Sequence, residues 1–570
     1  MNVSKPIYIL GTGLSHDGSS CLMKDGKIVV AIEKERITRK KHDGYNDNQT
    51  IQYCLDAEGI TFDDISLVVE KNTVNLAHDA EGEELKKGRI IPPRVPKVTI
   101  SHHIAHAYSA VGTSPFDEMG IVVMDGRGAS FDNCIDNPEN VLPIDIQELS
   151  KEEYCDYFEK ESYYVFENGK LKPILKDFSK YIILDREIFP FAPNDMEHSI
   201  AELYGGASQY VFGRDFTEGK LMGLAPYGRK DVFKEELFHL RENRAFINYD
   251  AMKEIDPKKS AKYQKFWDDF QYYADIARWV QEETEKAINY IFNSYYNLKP
   301  HKNVAYAGGL ALNAVSNGKL MKETKFEDFY FQPAAGDNGL AIGCCYYGWI
   351  EVLGKEKVHH NGSCYFGKIY EDKVIKESLE SFENDIKYEK QENYIEKTAQ
   401  LLTDGKVIAW YQDESEFGPR ALGNRSILAD PRKKDMRDYI NQEIKNREEF
   451  RPFAPSVLLE DVGEYFNLDF ETSPYMILVG TTKKEWIDKI PSVVHEDYSS
   501  RIQTVSEEII PKYYSLIKKF KELTGVSSLL NTSFNYREMP IIETPFEAIS
   551  FFVESKIDVL VIQDYIITRK

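Results

Sequence analysis

Two short apolar runs in this chain each precede an aspartate set among glycines. Ile121-Val122-Val123-Met124 stops at Asp125, with Gly126 and Gly128 behind it, and Phe329-Tyr330-Phe331 leads to Asp337 in Ala335-Gly336-Asp337-Asn338-Gly339. A carboxylate at the end of a buried strand, beside a glycine-rich loop, is where an open α/β sheet places its ligand. Upstream, His102 and His106 stand at i and i+4, so on a helix both imidazoles leave one face and can hold one ion. Two His and two Asp make a nitrogen–oxygen donor set with positions left open for a substrate oxygen. That suits Fe(II), Mn(II) or Zn(II) better than a closed structural zinc.

The start of the chain points to the same class of fold. Ile7-Tyr8-Ile9-Leu10 reads as a strand that breaks at Gly11-Thr12-Gly13, ahead of His16-Asp17-Gly18. Cys21-Leu22-Met23 then turns through Lys24-Asp25-Gly26-Lys27 into Ile28 to Ile32, and an Asp-Gly turn between apolar runs marks a hairpin. Strand–hairpin–strand openings with glycines at the tips begin the actin, sugar-kinase and chaperone nucleotide-binding folds, which repeat the motif in a second lobe; here that lobe could start at Gly120. A helical period over Tyr272 to Asn297 feeds a strand at Asn303 to Ala307 and then Gly308-Gly309, which suits a nucleotide's approach or a tight packing turn. An apolar helix from Leu340 to Val352 and a charged break at Lys355-Glu356-Lys357 lead to His359-His360, expected to be solvated in a linker. The boundary expected there separates domains 1–359 and 360–570. The second domain reads as α/β, with a helix at Tyr394–Thr403 and a buried strand at Lys406 to Tyr411.

With 570 residues, 36 Tyr and 31 Phe, burial is ample. The formal charge of −22 argues against a broad nucleic-acid surface. Seven scattered cysteines without a C-x-x-C pair fit a reduced cytoplasm. Met1 to Pro6 does not resemble a signal peptide, and no stretch approaches the ~18 apolar residues of a membrane span. The expectation is a cytoplasmic protein with no nucleic-acid or membrane partner, for which a homo-oligomer is allowed.

A local island of positive charge interrupts this acidic composition. From Gly418 to Phe453 there are nine Lys or Arg against six Asp or Glu. In Phe417-Gly418-Pro419-Arg420-Ala421-Leu422-Gly423-Asn424-Arg425, glycine and proline fix the loop. Arg420 and Arg425 can then present planar forks to phosphate or carboxylate oxygens. Lys445 and Arg451 flank a helix expected to end near Arg447, Arg432 to Arg437 reads as a helix-face run, and Arg501, Asn531 and Ser533 add polar groups at strand ends.

Together these segments resemble the O-carbamoyltransferase family of the nodulation protein U, cephalosporin hydroxymethyl carbamoyltransferase and tobramycin carbamoyltransferase type. The matching residues are His16-Asp17-Gly18-Ser19, Glu33 to Arg36 with Arg39 to His42, His102 to Ala107, Glu218 to Gly228, Gly308 to Asn313, Phe417 to Asp430, Arg451 to Ser456 and Leu530 to Asn535. They cover nearly the whole chain in the family's order. Ser15 departs from it, standing where many relatives have another His.

The resemblance implies two joined α/β modules: a two-lobed actin/sugar-kinase-like domain similar to the tRNA threonylcarbamoyl transferase, then a YrdC-like domain. It implies that carbamoyl phosphate and ATP, with Mg(II), form carbamoyl adenylate in the C-terminal domain, and that a small-molecule hydroxyl acceptor takes the carbamoyl group in the N-terminal one. On that basis His16 matches the general base, and His102, His106, Asp125 and Asp337 the ligands of a divalent metal, Fe(II) ahead of Mn(II) or Zn(II). Lys41, Gly126, Gly128, Glu218, Lys220, Gly223, Gly309 and Asn313 would hold the nucleotide. Arg420, Arg425, Lys445, Arg451, Arg501, Asn531 and Ser533 would take the anions of the activation step. Acceptor contacts would fall between Glu139 and Glu202. A small-molecule kinase of the same superfamily would need neither the His pair nor the arginine-rich module, and a non-catalytic scaffold would not need metal ligands, anion pocket and His16 together. A tRNA-modifying threonylcarbamoyl-type transferase is the nearer alternative, disfavoured by the −22 charge.

Overall fold

The computed structural model describes residues 5–71, 88–136, 141–150, 152–193 and 196–570. Met1 to Ser4, and parts of the stretch expected to contact the acceptor (139–140, 151 and 194–195), lie outside the described residues. The fold is mixed α/β. By its contacts the chain divides into two compact units, 1–34 with 44–361, and 35–43 with 362–570.

The first unit carries two five-stranded sheets. Strands β1 (Tyr8–Gly13), β2 (Ser19–Lys24), β3 (Lys27–Glu33), β4 (Ile65–Lys71) and β5 (Lys97–Ile100) lie in the order β3-β2-β1-β4-β5. Strands β1 to β3 are antiparallel neighbours, and β4 and β5 run parallel to β1. The second sheet uses β6 (Met119–Met124), β7 (Tyr157–Glu167), β8 (Lys170–Lys180) and, after a small hairpin of β9 (Phe238–Arg241) and β10 (Arg244–Ile247), β11 (Asn303–Ala307) and β12 (Asp328–Phe331). Its order is β12-β11-β6-β7-β8, with β6 antiparallel to β7 and parallel to β11. The same strand scheme is therefore laid down twice.

The β2–β3 turn has Asp25 at φ 50° and Gly26 at φ 83°, the left-handed pair that a tight two-residue hairpin requires. Strand β1 does not break at Gly11-Thr12-Gly13 as expected: its pairing with β2 continues to Gly13↔Ser19. All six of its residues are buried, and the ladder satisfies backbone groups that a buried loop would leave unpaired. The long helix is Phe270–Leu298, and Leu340–Tyr347 continues through a π turn to Val352. His360 corrects the solvated reading of the linker, since it is half-buried and burial, followed by the charges of His359 and Lys357, pushes its imidazole down to about 4.

The second unit has an eight-stranded sheet. Strands β13 (Ile386–Lys390), β14 (Ile408–Tyr411), β15 (Arg425–Ala429), β16 (Ala454–Leu458), β20 (Gln503–Val505), β21 (Ser528–Ser533), β22 (Val559–Ile562) and β23 (Tyr565–Arg569) run in the order β13-β23-β22-β14-β15-β21-β16-β20. A three-stranded sheet is formed by β17 (Phe466–Asn467), β18 (Val479–Thr482) and β19 (Ser499–Arg501). Trp410, Ile427, Leu428, Leu529, Leu530 and Leu560 are buried in its core. Arg432 to Arg437 is mostly a turn, not a helix face: only Met436–Tyr439 is α-helical, and Arg432 bonds back to Asp430 at 2.8 Å. The segment 35–43, which sequence reasoning placed in the first domain, belongs to this unit. Arg36 donates to the Gly418 carbonyl at 2.7 Å, and Arg39 to the carbonyls of Ile541 and Pro540 at 2.7 and 2.8 Å.

Candidate functional site

His102 and His106 lie in the first two turns of helix His102–Thr113, whose twelve residues are all buried. Asp125 follows the last residue of β6, and Asp337 opens the turn leading into helix Leu340–Tyr347. What brings them together is a close helix crossing. A Cβ on Gly343 would lie 1.7 Å from the Ala105 carbonyl oxygen, so only glycine lets the two helices approach this closely. One donor atom from each of His102, His106, Asp125 and Asp337 falls within 4.8 Å of the other three.

His102 Nε2 is 3.0 Å from Asp125 and 3.3 Å from Asp337, and His106 Nε2 is 3.6 Å from Asp337. The Gly309 N–H donates to the other oxygen of Asp125 at 2.8 Å, orienting that carboxylate. Burial disfavours charge on His102, but Asp337 and the hydrogen bonds of both aspartates outweigh it and push the imidazole up to about 9. Asp337 is held well below the carboxylate range against its burial, by His102 first and then His16. Four buried donors converging on one point, with nitrogen and oxygen chemistry, fit a divalent ion. His103, between the two, faces elsewhere: its Nδ1 meets Ser162 Oγ at 2.7 Å and burial pushes it down to about 3.

His16 borders this cluster, with Nδ1 3.4 Å from Asp337 and Nε2 3.5 Å from Asp17, and its side chain is 43% exposed. Ser15, beside it, donates to Asp337. The imidazole thus has solvent on one side and the metal-type donor set on the other.

The expected nucleotide-binding residues are not all placed alike. Gly309 lies against Asp125, and Gly126 against the Glu202 carboxylate. Gly128 packs on Glu159 and His103, and its N–H donates to the Glu159 carbonyl at 2.8 Å. Asn313 caps helix Ala314–Glu323 and exchanges hydrogen bonds with Gln281, so its side chain is already engaged. Glu218 and Gly223 sit on helix Glu218–Leu224, and Lys220 lies 5.6 Å from the Phe212 ring centre. Lys41 falls in the second unit and pairs with Glu35 at 3.1 Å.

In the second unit the arginines separate into two kinds. Arg425 is fully buried, donates to the carbonyls of Gln412, Asp413 and Asn424, and stacks 3.6 Å from the Tyr411 ring centre. Its Nη1 and Nη2 are engaged by the backbone, while its buried Nε has no hydrogen-bond partner among the described residues, so most of the group that was expected to meet an anion holds this turn. Lys445 is likewise surrounded by oxygens of Ser533 and Asn535, and Ser533 Oγ donates to Asn535 Oδ1 at 2.7 Å. The Asn531 amide is shared among Ala421, Ser456 and Gln503.

Arg420, Arg451 and Arg501 differ: among the described residues their side chains have no hydrogen bond or ion pair. Their charges oppose one another. Burial and then Arg451 push Arg420 down to about 10, and burial followed by Arg420 and Arg451 pushes Arg501 well below its ordinary value. Several guanidiniums that outnumber the nearby carboxylate of Glu448 make a net positive site.

Sequence reasoning missed four residues at these places. Lys71, at the end of β4, is buried, and burial lowers its pKa while Asp337 and Asp125 favour its charge. Arg447 joins the guanidinium group, lowered by burial and then by Arg451 and Arg501. Ser15 was noted only as a departure from the family pattern, and Phe216 stacks on His16. Ser15 had a local signal in its position beside His16, and Arg447 in its place within the positive island from Gly418 to Phe453.

Residues 8–81 and 72–346 match the family model described as Carbamoyltransferase N-terminus, and 399–569 match Carbamoyltransferase C-terminus. An uncharacterized protein of Synechocystis is 33% identical over 99% of this chain and 97% of its own length. Nodulation protein NolNO of Sinorhizobium fredii is 31% identical over 97% of this chain and 79% of its own, and nodulation protein U of Rhizobium fredii is 34% identical over 42% and 39%. Among solved structures, full-length HypF in its phosphate- and nucleotide-bound form overlaps 60% of this chain and 56% of its own at 13% identity and a TM-score of 0.38, too loose an overlap to carry an argument. No helix among the described residues is long and apolar enough to cross a membrane. With both of its halves matched and a full-length relative above 30% identity, the chain belongs to the carbamoyltransferase family and is an enzyme of carbamoyl transfer.

Proposed function

We propose that this carbamoyltransferase works in two half-reactions, activating the carbamoyl group in its second unit and transferring it to a small-molecule hydroxyl in its first. In the first half-reaction carbamoyl phosphate and water give carbamate and phosphate, and carbamate displaces pyrophosphate from ATP to give carbamoyl adenylate. In the second, the acceptor hydroxyl attacks the carbamoyl carbon, the bond to the AMP phosphate breaks, and the hydroxyl proton leaves. The second unit would be the YrdC-like module of the family pattern.

The observation that carries the reading is His16, half-exposed and 3.4 Å from Asp337 at the edge of a buried His2Asp2 donor set. An imidazole open to solvent on one side can reach an acceptor hydroxyl and take its proton. His102, His106, Asp125 and Asp337 would hold a divalent ion, Fe(II) first among the candidates. Bound there, that ion supplies Lewis-acid polarisation of a phosphate or carbonyl oxygen. Gly309 holds Asp125 in place through its N–H, and Ser15 does the same for Asp337. In the second unit Arg420, Arg451 and Arg501 are suited to phosphate oxygens, which would relieve their mutual repulsion.

The test is to supply carbamoyl phosphate and ATP-Mg and follow AMP and pyrophosphate, with mass spectrometry of candidate hydroxyl acceptors. Pyrophosphate release that depends on carbamoyl phosphate is expected. ADP as the nucleotide product would overturn the reading in favour of a kinase.

A further inference from the structure

Phe216 lies in the short link between helix Ile200–Phe212 and helix Glu218–Leu224, and its backbone is left-handed, with φ 57°. For a bulky aromatic residue that conformation is costly, because it lacks both glycine's freedom and the short polar side chain that lets Asn or Asp bond locally. Core packing does not explain it, since Phe216 is 49% exposed. Its ring instead stacks on the His16 imidazole, with centres 5.2 Å apart and planes inclined by 23°.

The polar neighbours of His16 do not fix the plane of its ring. Asp337, Asp17 and Ser15 approach its edges at 3.4, 3.5 and 3.3 Å, all long contacts. An offset stacked ring adds restraint on rotation of the imidazole about its Cβ–Cγ bond, which those long edge contacts hold only weakly. Strained backbone that persists in a folded protein gathers at functional sites, where the surroundings over-determine it. Asn in place of Phe216 would suit the left-handed backbone better, yet the chain carries an aromatic ring there.

We propose that Phe216 is a positioning residue: its stacked ring sets the plane of the His16 imidazole for proton acceptance during carbamoyl transfer. This rests on His16 acting as the general base. Phe216 would act through His16, not through its own contact with the acceptor.

Phe216→Asn tests it by removing the ring and relieving the backbone at once, with Phe216→Gly as a second variant should the first fold poorly. The metal-loaded full chain is given synthetic carbamoyl adenylate, and AMP release to water is timed, a readout that needs no identified acceptor. A base contributes about 10²–10⁴-fold, so losing its alignment should slow AMP release by about tenfold or more. The thermal midpoint should hold or rise, because the strain is gone. Phe216→Tyr should restore the rate to within about threefold, because the ring returns. In protein carrying 13C-labelled histidine, the His16 signal, assigned by its loss in His16→Ala, should shift in Phe216→Asn. A double variant His16→Ala/Phe216→Asn should be no slower than His16→Ala, since residues acting through one another are non-additive.

A Phe216→Asn rate within about twofold of the parent would overturn the proposal, as would a further loss in the His16→Ala background. A His16→Ala protein as fast as the parent would instead overturn the general-base reading itself, so the two failures are distinguishable.

Discussion

The Nε2 atoms of His102 and His106 face each other at 3.1 Å. Two imidazole nitrogens at that distance must share a proton or an ion, and Asp125 and Asp337 close the same space with oxygens. Among the described residues the Nδ1 atoms of both rings have no hydrogen-bond partner, so the burial of the helix orients them. Loss of His106 should therefore lower metal content as well as transfer. Mass-spectrometric metal analysis of His106→Ala and the parent should show a reduced stoichiometry; equal values would remove the metal centre.

The crossing at Gly343 gives a second expectation. In Gly343→Ala the new Cβ would lie 1.7 Å from the Ala105 oxygen, so the helices carrying His106 and approaching Asp337 must separate. Overpacking of this kind costs about 1–3 kcal/mol or more, and metal content should fall with the thermal midpoint. A variant of unchanged midpoint and metal content would show that the helices adjust without disturbing the site.

Arg425 and Arg501 should respond in opposite ways. Arg425→Ala removes a buried guanidinium that satisfies three carbonyls, so the second unit should lose stability by about 2–4 kcal/mol, whatever ligands are present. Arg501→Met relieves crowding with Arg420 and Arg451, so the ligand-free protein should keep or gain stability. It should also lose about 1.5–3 kcal/mol of phosphate or carbamoyl phosphate binding, or roughly 10- to 150-fold. Thermal scans with and without phosphate separate the two, and a phosphate-induced shift undiminished in Arg501→Met would remove Arg501 from the anion site.

Acid should weaken the first unit through His198. Its Nδ1 accepts the Ile247 N–H at 3.1 Å, which requires the neutral ring, and burial followed by Lys160 pushes it down to about 4. The folded-state value lies below the ordinary one near 6.5, so the unfolded chain binds the proton first as pH falls. The contribution is fully present above about pH 6.5 and lost as pH falls toward 4, by on the order of 1–3 kcal/mol, discounted because the ring is partly exposed. His198→Asn retains an acceptor without a titrating ring. Its urea midpoint should fall less than the parent's between pH 7 and pH 5; equal slopes would exclude His198 from the acid response.

The local sequence determined the elements that carry the first site. Strand-ending aspartates beside glycines, an i, i+4 histidine pair and an Asp-Gly hairpin are short-range patterns, and strand, helix and turn geometry follow from them within a few residues. A second lobe starting at Gly120 was expected only by analogy with two-lobed folds; its hairpin, β7–β8, follows β6 after a long insertion and was not read from the sequence. Tertiary structure decided which charged groups are left to bind a ligand. Arg425 and Arg501 are chemically alike, but Arg425 lies where the carbonyls of Gln412, Asp413 and Asn424 turn inward, and Arg501, without a side-chain hydrogen bond or ion pair among the described residues, where Arg420 and Arg451 oppose its charge. In the same way, 35–43 joins the second unit because its arginines meet carbonyls of 418, 540 and 541. A guanidinium binds whichever oxygens the fold delivers: for Arg36 and Arg39 they come from hundreds of residues away, for Arg425 from a nearby turn whose carbonyls the tertiary fold points inward, and residue type alone records neither.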